Sequence, residues 1–343
     1  MGERFDNNGE YRMEVANLPL PKWWQSKKPY KIMDCVKGMR ELPDNVVDLV
    51  VTSPPYNVGK DYGPTCLDNM PYNKYLDWSV EWMSEVFRIL KPTGRFCLNH
   101  FLGYLRQETK TGVERYNVLM DMQYRATREI GFKYHSLAVW DDVSKPRLTA
   151  WGTFMSAKAP FVNNSMEAVL IMYKNKWNRG VTGESTIEKK RFINLASGFW
   201  KMQPEPDRDN HPAMFPLSLP YNCIQMFTYK DDIVLDPFLG SGTTIKACRM
   251  SDRRGLGFEL SPAYEDMIDS KTLSSVAMLE SFDTKPTDLE QFLDEFSAPV
   301  EKESITCPTC GKRHYSNEKC PWCAEKDEQT HTDAQNIYSG KCL

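Results

Sequence analysis

Thr52-Ser53-Pro54-Pro55-Tyr56-Asn57 sets a hydroxyl, backbone carbonyls and one aromatic ring on a single stiff loop. Two consecutive prolines continue neither a strand nor a helix interior, so these carbonyls are released from ladder hydrogen bonding. The set suits a specific chemical problem. An exocyclic nucleobase amine is a poor nucleophile because its lone pair is conjugated into the ring. Acceptors for its two N–H groups draw the nitrogen toward tetrahedral geometry and free that lone pair. Ser53 Oγ and the Pro54 carbonyl are candidate acceptors, and Tyr56 is a candidate stacking surface for a base taken out of its duplex.

A second constellation is Asp236-Pro237-Phe238-Leu239-Gly240-Ser241-Gly242-Thr243-Thr244, with Glu259 nineteen residues after Gly240. Glycines let the backbone approach a ligand, a following helix presents N–H groups, and an acid at the next strand end can hold two ribose hydroxyls. The loop lacks the third glycine of a dinucleotide fingerprint and the Gly-Lys-Thr of a phosphate loop. A non-phosphorylated nucleoside such as S-adenosylmethionine fits better than NAD or ATP. A third constellation is Cys307-Pro308-Thr309-Cys310 and Cys320-Pro321-Trp322-Cys323, with nine residues between the pairs. Two such knuckles supply four thiolates for one structural zinc ion.

The elements that must position these groups follow from periodicity. Val46 to Val51 is a buried strand ahead of Thr52. Tyr30 to Met33 is a short strand closed by Asp34, an acid placed to meet an adenine or ribose. Val36 to Leu42 reads as a short helix. Leu76, Val80, Met83, Phe87 and Leu90 recur at helical spacing, with Gly94 expected to end that helix. Phe96–Leu98, Leu137–Trp140 and Ala168–Met172 read as strands, and Asn117 to Ile130 as a helix ended by Gly131. After a helix from Leu219 to Tyr229, Ile233–Leu235 leads into the glycine loop, a helix runs to Met250, and Gly255–Glu259 is the next strand. Ser261-Pro262 opens a last helix toward Met278. Strands alternating with helices predict an α/β fold, a doubly wound, mostly parallel Rossmann-like sheet.

Residues 174–210 break the pattern. They carry Lys174, Lys176, Arg179, Lys189, Lys190 and Arg191, interleaved with Trp177, Phe192, Phe199 and Trp200. Basic residues among aromatics predict a nucleic-acid surface. Such a surface has to be local, because the net charge of the 343-residue chain is −3. A hydrophobic content of 41% allows a sizeable core, and no apolar run reaches membrane-spanning length. The polar first thirty residues lack a signal-peptide core, so a cytoplasmic protein is expected. Residues 281–304 read as an acidic linker with a capping box from Thr287 to Glu290, 305–325 as a small zinc-ribbon-like module, and 326–343 as a disordered tail.

Thr52 to Asn57 resembles the catalytic loop of the DNA amino-methyltransferases, and Asp236 to Thr244 resembles their S-adenosylmethionine loop. The catalytic loop comes first, as in the permuted β-group of that family. Trp151-Gly152-Thr153-Phe154, the strand from Glu167 to Lys174 and His211 to Pro216 resemble further motifs of the group in order. The resemblance spans about residues 30–275. It implies that Ser53, Pro54, Pro55 and Tyr56 hold and activate a flipped base. Asp236 and Gly240, Ser241, Gly242, Thr243 and Thr244 would hold the methionine part of the cofactor, with Thr52 beside them. Glu259 would bind the ribose, Asp34 and Phe238 would lie near the adenine, and His211 and Phe215 would complete the pocket. It further implies a catalytic half over 30–173, target recognition over 174–210 and a cofactor half over 211–280. Duplex DNA would be the partner, in a nucleoid-associated restriction-modification setting with a cognate endonuclease. The implied reaction is direct methyl transfer to cytosine N4, because serine at position 53 leans toward cytosine in that family. Adenine N6 is the nearest alternative, and a silent DNA-binding protein a more distant one. The zinc module lies outside the family pattern.

Overall fold

The strand ahead of the two prolines lies at the centre of the sheet, and the topology around it decides where the chemistry sits. The computed structural model describes residues 28–60, 68–103, 105–109, 112–142, 157, 166–202, 215–272, 304–306 and 313–315. The chain divides into two units, residues 1–298 and 299–343.

In the first unit the elements run β1 (Tyr30–Ile32), α1 (Cys35–Arg40), β2 (Val47–Thr52), α2 (Tyr72–Ile89), β3 (Leu90–Phe101), the hairpin β4 (Leu105–Thr109) and β5 (Gly112–Tyr116), then α3 (Val118–Arg125). They continue with β6 (Lys133–Asp142), β7 (Glu167–Tyr173), α4 (Lys189–Ala196), β8 (Phe199–Met202), α5 (Ser218–Phe227), β9 (Ile233–Asp236), α6 (Thr243–Arg249) and β10 (Arg254–Glu259). Eight strands form one sheet in the order β1-β10-β9-β2-β3-β7-β6-β8. All neighbours are parallel except β7, which runs antiparallel to both β3 and β6. The expected mostly parallel α/β sheet is therefore present, with one reversed strand.

From β2 the chain moves one way along the sheet to β3, and from β9 it moves the other way to β10. The adjacent pair β2 and β9 thus flanks a topological switch point, where open α/β sheets hold ligands at the strands' carboxyl ends. Registers place Val50 opposite Leu235, Asp236 opposite Gly257, and Ile32 opposite Glu259. Thr52, Asp236 and Glu259 therefore reach one edge together. Because β7 is reversed, its first residue arrives at the same edge, with Glu167 opposite Phe101.

Side chains alternate between two core layers. Val50, Phe96, Leu98, Leu170, Leu235 and Phe258 pack under α1, α2 and α3. Leu49, Val51, Cys97, Val169, Ile171 and Val234 pack on the other face against α5 and α6. Full burial of such side chains is worth about 1.5–3 kcal/mol each, which makes the sheet a rigid base for the loops at its edge.

Two expectations need correction. Helix α2 does not run to Gly94. It stops at Ile89, and Leu90 is already extended with φ −64° and ψ 137°. Pro92 has no N–H to continue a helix and biases Lys91 toward extended backbone, so the chain passes directly into β3. The exposed carbonyl end is closed from far away: Lys174 Nζ donates to the Arg88 and Leu90 carbonyls at 3.0 and 2.9 Å and to Asn45 Oδ1 at 2.8 Å.

The second correction concerns the basic segment. Lys174 is buried in that cap. Arg179 donates to Asp48 at 2.9 Å and pairs with Asp232. Arg191 is buried, donates to Asn222 Oδ1 at 2.7 Å and lies over the Tyr221 ring. Trp200 is buried too, in β8 at the sheet's edge, with Nε1 donating to the Leu195 carbonyl. These four residues hold the fold. Lys176, Lys189, Lys190, Phe192 and Phe199 remain exposed.

Helix Asn117–Ile130 is present as expected. The Asn117 side chain caps it, its last turn widens into a π-helix over Ala126–Ile130, and Gly131 closes it at φ +107°. In the second unit β11 (Ser304–Thr306) pairs antiparallel with β12 (Arg313–Tyr315). Trp151 to Phe154, His211, the linker with its capping box, the four zinc-candidate cysteines and the tail lie outside the described residues.

Candidate active site

Asp236 organises the edge. It ends β9 and is fully buried. One oxygen accepts from Thr52 Oγ1 at 2.6 Å and from the Phe238 N–H at 3.0 Å; the other accepts from Thr244 Oγ1 at 2.6 Å. Thr52 and Thr244 are also fully buried. Burial pushes the Asp236 carboxyl up to about 6, against the three hydrogen bonds that favour its charged form. The strand ending in Ser53-Pro54-Pro55-Tyr56 and the glycine loop are thereby tied through one carboxylate. All three residues were expected as cofactor contacts, and the structure gives them an internal bond to each other.

The glycine loop turns through Gly240 at φ +54° and Gly242 at φ +86°, conformations that a side chain would strain. Glu259, at the end of β10, accepts from the Gly240 N–H and the Ser261 N–H, both at 2.8 Å. Burial raises its carboxyl as well. A carboxylate has about four acceptor positions, so two N–H bonds leave capacity for a diol. Ser241 and Thr243 hydroxyls lie 3.2 Å apart, and Lys271 donates to Ser241 Oγ at 2.9 Å. Phe238 is half-buried, edge-on to Trp82 at 5.2 Å and tilted against Trp78 at 5.5 Å. Asp34 accepts from the Lys37 N–H at 3.0 Å and so caps α1, leaving its second oxygen for other donors. Phe215 packs against the α5 face of the core. Spare carboxylate capacity and an aromatic ring beside a glycine turn fit a nucleoside such as S-adenosylmethionine.

The Pro-Pro loop is anchored on both sides. The Asp68 carboxylate accepts from the N–H groups of Asn57, Val58 and Lys60 at 2.6, 3.1 and 2.8 Å. The Asn57 amide, at φ +60°, pairs with both backbone groups of Met70. Tyr75 donates to the Pro55 carbonyl at 2.6 Å. The Tyr56 ring packs on His100 at 4.2 Å and Phe101 at 5.5 Å. Burial lowers His100 to about 3, so it stays neutral.

Above this anchor the polar atoms form a directed chain. Ser53 Oγ donates to Tyr56 Oη at 2.9 Å, and Tyr56 Oη donates to Glu167 Oε2 at 2.8 Å. Asn99 Nδ2 donates to Tyr56 Oη and Glu167 Oε2, both at 2.9 Å. Sequence reading missed Asn99, Glu167, His100 and Asp68 as members of the site. Glu167 and Asn99 stood at strand ends that were legible, but their meeting depends on the reversal of β7.

Residues 47–270 match the family model described as DNA methylase. M.MjaVI, a type II methyltransferase of Methanocaldococcus jannaschii, is 39% identical over 169 residues, 49% of this chain and 83% of that protein. M.HpaI, a type II methyltransferase of Haemophilus parainfluenzae, is 29% identical over 279 residues, 78% of this chain and 80% of that protein. Among solved structures, TTHA0409 of Thermus thermophilus complexed with S-adenosyl-L-methionine is similar with TM-score 0.56 and 26% identity, over 73% of this chain and 94% of that one. The PvuII cytosine-N4-specific DNA methyltransferase shares the fold, with TM-score 0.54 and 22% identity over 78% of this chain and 91% of its own.

Proposed function

Because this chain belongs to the DNA methylase family, we propose that it methylates the exocyclic N4 amine of a flipped cytosine in duplex DNA, using S-adenosylmethionine. The observation that carries this reading is the state of the Ser53 hydroxyl. Its proton is committed to Tyr56 and Asn99 Nδ2 donates to it at a long 3.5 Å, so one lone pair is left to accept from an amine N–H. The Pro54 carbonyl offers the second acceptor.

Bound cofactor supplies an electrophilic methyl group on a sulfonium. Glu259 would take the ribose hydroxyls, Phe238 and Asp34 would border the adenine, and the Gly240–Thr244 loop would meet the methionine end. His211 and Phe215 would complete that pocket. Asp236 holds the two loops in fixed relation, which would keep the methyl donor and the amine in fixed relation too. Tyr56 stacks on the target base. A covalent attack on a ring carbon is not part of this reading. The four described cysteines, Cys35, Cys97, Cys223 and Cys248, are buried in the core, and neither loop carries one.

In this reading residues 30–173 form the catalytic half and 211–280 the cofactor half. Target contact falls to the exposed part of 174–210, with Lys176, Lys189 and Lys190 on phosphates and Phe192 and Phe199 beside them. The type II relatives suggest a restriction-modification role with a cognate endonuclease. Among the described residues no helix is long and apolar enough to cross a membrane.

The product decides the target atom. DNA methylated by the protein is digested to nucleosides and resolved by mass and retention. N4-methylcytosine is expected. N6-methyladenine would transfer the chain to the adenine branch of its family, and 5-methylcytosine would defeat the amine reading altogether.

One zinc ion belongs to this reading as well, held by Cys307, Cys310, Cys320 and Cys323. Strands β11 and β12 pair Thr306 with Arg313, so the first cysteine pair falls between two paired strands, where zinc ribbons carry a knuckle. So short a unit needs the metal's binding energy to fold. Elemental analysis of protein purified without chelator is expected to give one zinc per chain. A metal-free preparation would remove the module from the reading.

A further inference from the structure

Methyl transfer to an amine leaves a proton to be removed, and the edge of the sheet holds a route for it. Ser53 Oγ, Tyr56 Oη and Glu167 Oε2 form a two-bond chain of 2.9 and 2.8 Å in which every hydrogen points toward the carboxylate. Asn99 fixes that direction. Its amide donates to both Tyr56 Oη and Glu167 Oε2 at 2.9 Å, and the flipped amide would face the carboxylate with its own oxygen. Glu167 Oε2 thus accepts twice, from the phenol and from the amide. Nothing in anchoring the loop requires this chain. Asp68, Tyr75 and the Asn57–Met70 pair already do that.

We propose that Glu167 is the terminal acceptor of the proton lost by the methylated amine, reached through Ser53 and Tyr56. The proposal rests on the amino-methyltransferase reading. The nitrogen–carbon bond forms as the carbon–sulfur bond breaks, and the nitrogen sheds a proton in the same step as positive charge grows on it. Its N–H proton passes to Ser53 Oγ, the Ser53 proton to Tyr56 Oη, and the Tyr56 proton to Glu167, which becomes a neutral acid and later returns the proton to solvent. Burial and the Glu167 charge hold the Tyr56 phenol well above its ordinary value. Tyr56 therefore gives its proton only while taking one from Ser53, as a relay and not as a base.

Among the described residues, Glu167 faces Tyr56 from the loop, Asn99 and Phe101 from β3, and Trp140 from β6 by register. His100 and Tyr75 stand behind Tyr56, and His100, at about 3, does not titrate near neutrality.

The test uses the full chain with tritiated S-adenosylmethionine and bacterial genomic DNA free of its own methylation, with enzyme in excess over sites. The variants are Glu167→Gln and Tyr56→Phe. Each is expected to lower the single-turnover rate about a hundredfold, within the range typical of general base catalysis. S-adenosylmethionine affinity by calorimetry and the melting temperature should stay at wild-type values. The wild-type single-turnover rate should be slower in deuterated water, and Glu167→Gln should lose that solvent isotope effect. A Glu167→Gln rate within threefold of wild type would overturn the proposal, and so would a slow variant that keeps the wild-type isotope effect. If Glu167→Gln does not fold, Tyr56→Phe decides alone: a rate within threefold of wild type overturns the relay. Absence of tritium transfer by the wild-type protein would instead bring down the methyltransferase reading, and the relay with it.

Discussion

Asp236→Ala is expected to cost about 3–5 kcal/mol of stability and to weaken S-adenosylmethionine binding about a hundredfold, whereas Asp236→Asn should leave the fold near wild type. The alanine leaves the Thr52 hydroxyl, the Thr244 hydroxyl and the Phe238 N–H without their acceptor in a fully buried site. Each buried unsatisfied donor costs about 1–3 kcal/mol, and the threonines can recover part by turning toward other acceptors. The asparagine keeps one oxygen for Thr52 and Phe238, and its amide can donate to Thr244 once that hydroxyl turns. Titration provides a second signature. Burial raises the Asp236 carboxyl to about 6, so near pH 5 the folded state holds a proton that the unfolded state has released. Stability from this group is fully present below pH about 4 and is lost as pH rises through about 6. The loss is about 3 kcal/mol at 1.36 kcal/mol per pKa unit. Asp236→Asn should remove most of that slope in urea unfolding measured from pH 4 to 8. Glu259 is raised in the same direction and keeps a remainder. An unchanged slope in the asparagine variant would show that Asp236 is not the titrating group.

What the sequence made legible was local. A run of Val and Leu stopped by two prolines announced β2, and a strand, glycine turn and helix announced β9 and α6. What it hid depends on partners far along the chain. Lys174, Arg179 and Arg191 read as a solvent-facing basic run, but Asn45, Asp48, Asp232 and Asn222 draw them inward. Asp236 read as a ligand contact, and only the adjacency of β2 and β9 reveals Thr52 as its partner. Gly94 suggests a later end for α2 than the chain takes, because the missing N–H of Pro92 is the stronger break. Glu167 looked like the opening of an ordinary strand. Its place beside Tyr56 follows from a strand direction that hydrophobic periodicity does not encode.

Ser53→Ala should lower the single-turnover methylation rate about 10²–10³-fold while leaving S-adenosylmethionine affinity unchanged. The hydroxyl's acceptor capacity matters most as the amine nitrogen becomes tetrahedral, so its loss falls on the transition state more than on binding. Loss of one preorganised hydrogen-bonding group at a reacting centre carries a penalty of this size in other enzymes. The loop itself should survive the change. Asp68 and the Asn57–Met70 pair hold its far side, and Tyr75 holds the Pro55 carbonyl. Among the described residues, Ser53 contributes to that anchoring through its contacts with Tyr56 and, at 3.5 Å, Asn99. Tyr56 keeps its bonds to Glu167 and Asn99 without it. Rate and affinity are therefore separable here: calorimetry with S-adenosylmethionine reports the pocket, and rapid-quench methylation reports the chemical step. A variant that binds cofactor normally and methylates at the wild-type rate would move the amine acceptor away from Ser53. A variant that loses cofactor affinity would show that the serine belongs to the pocket rather than to the reacting amine.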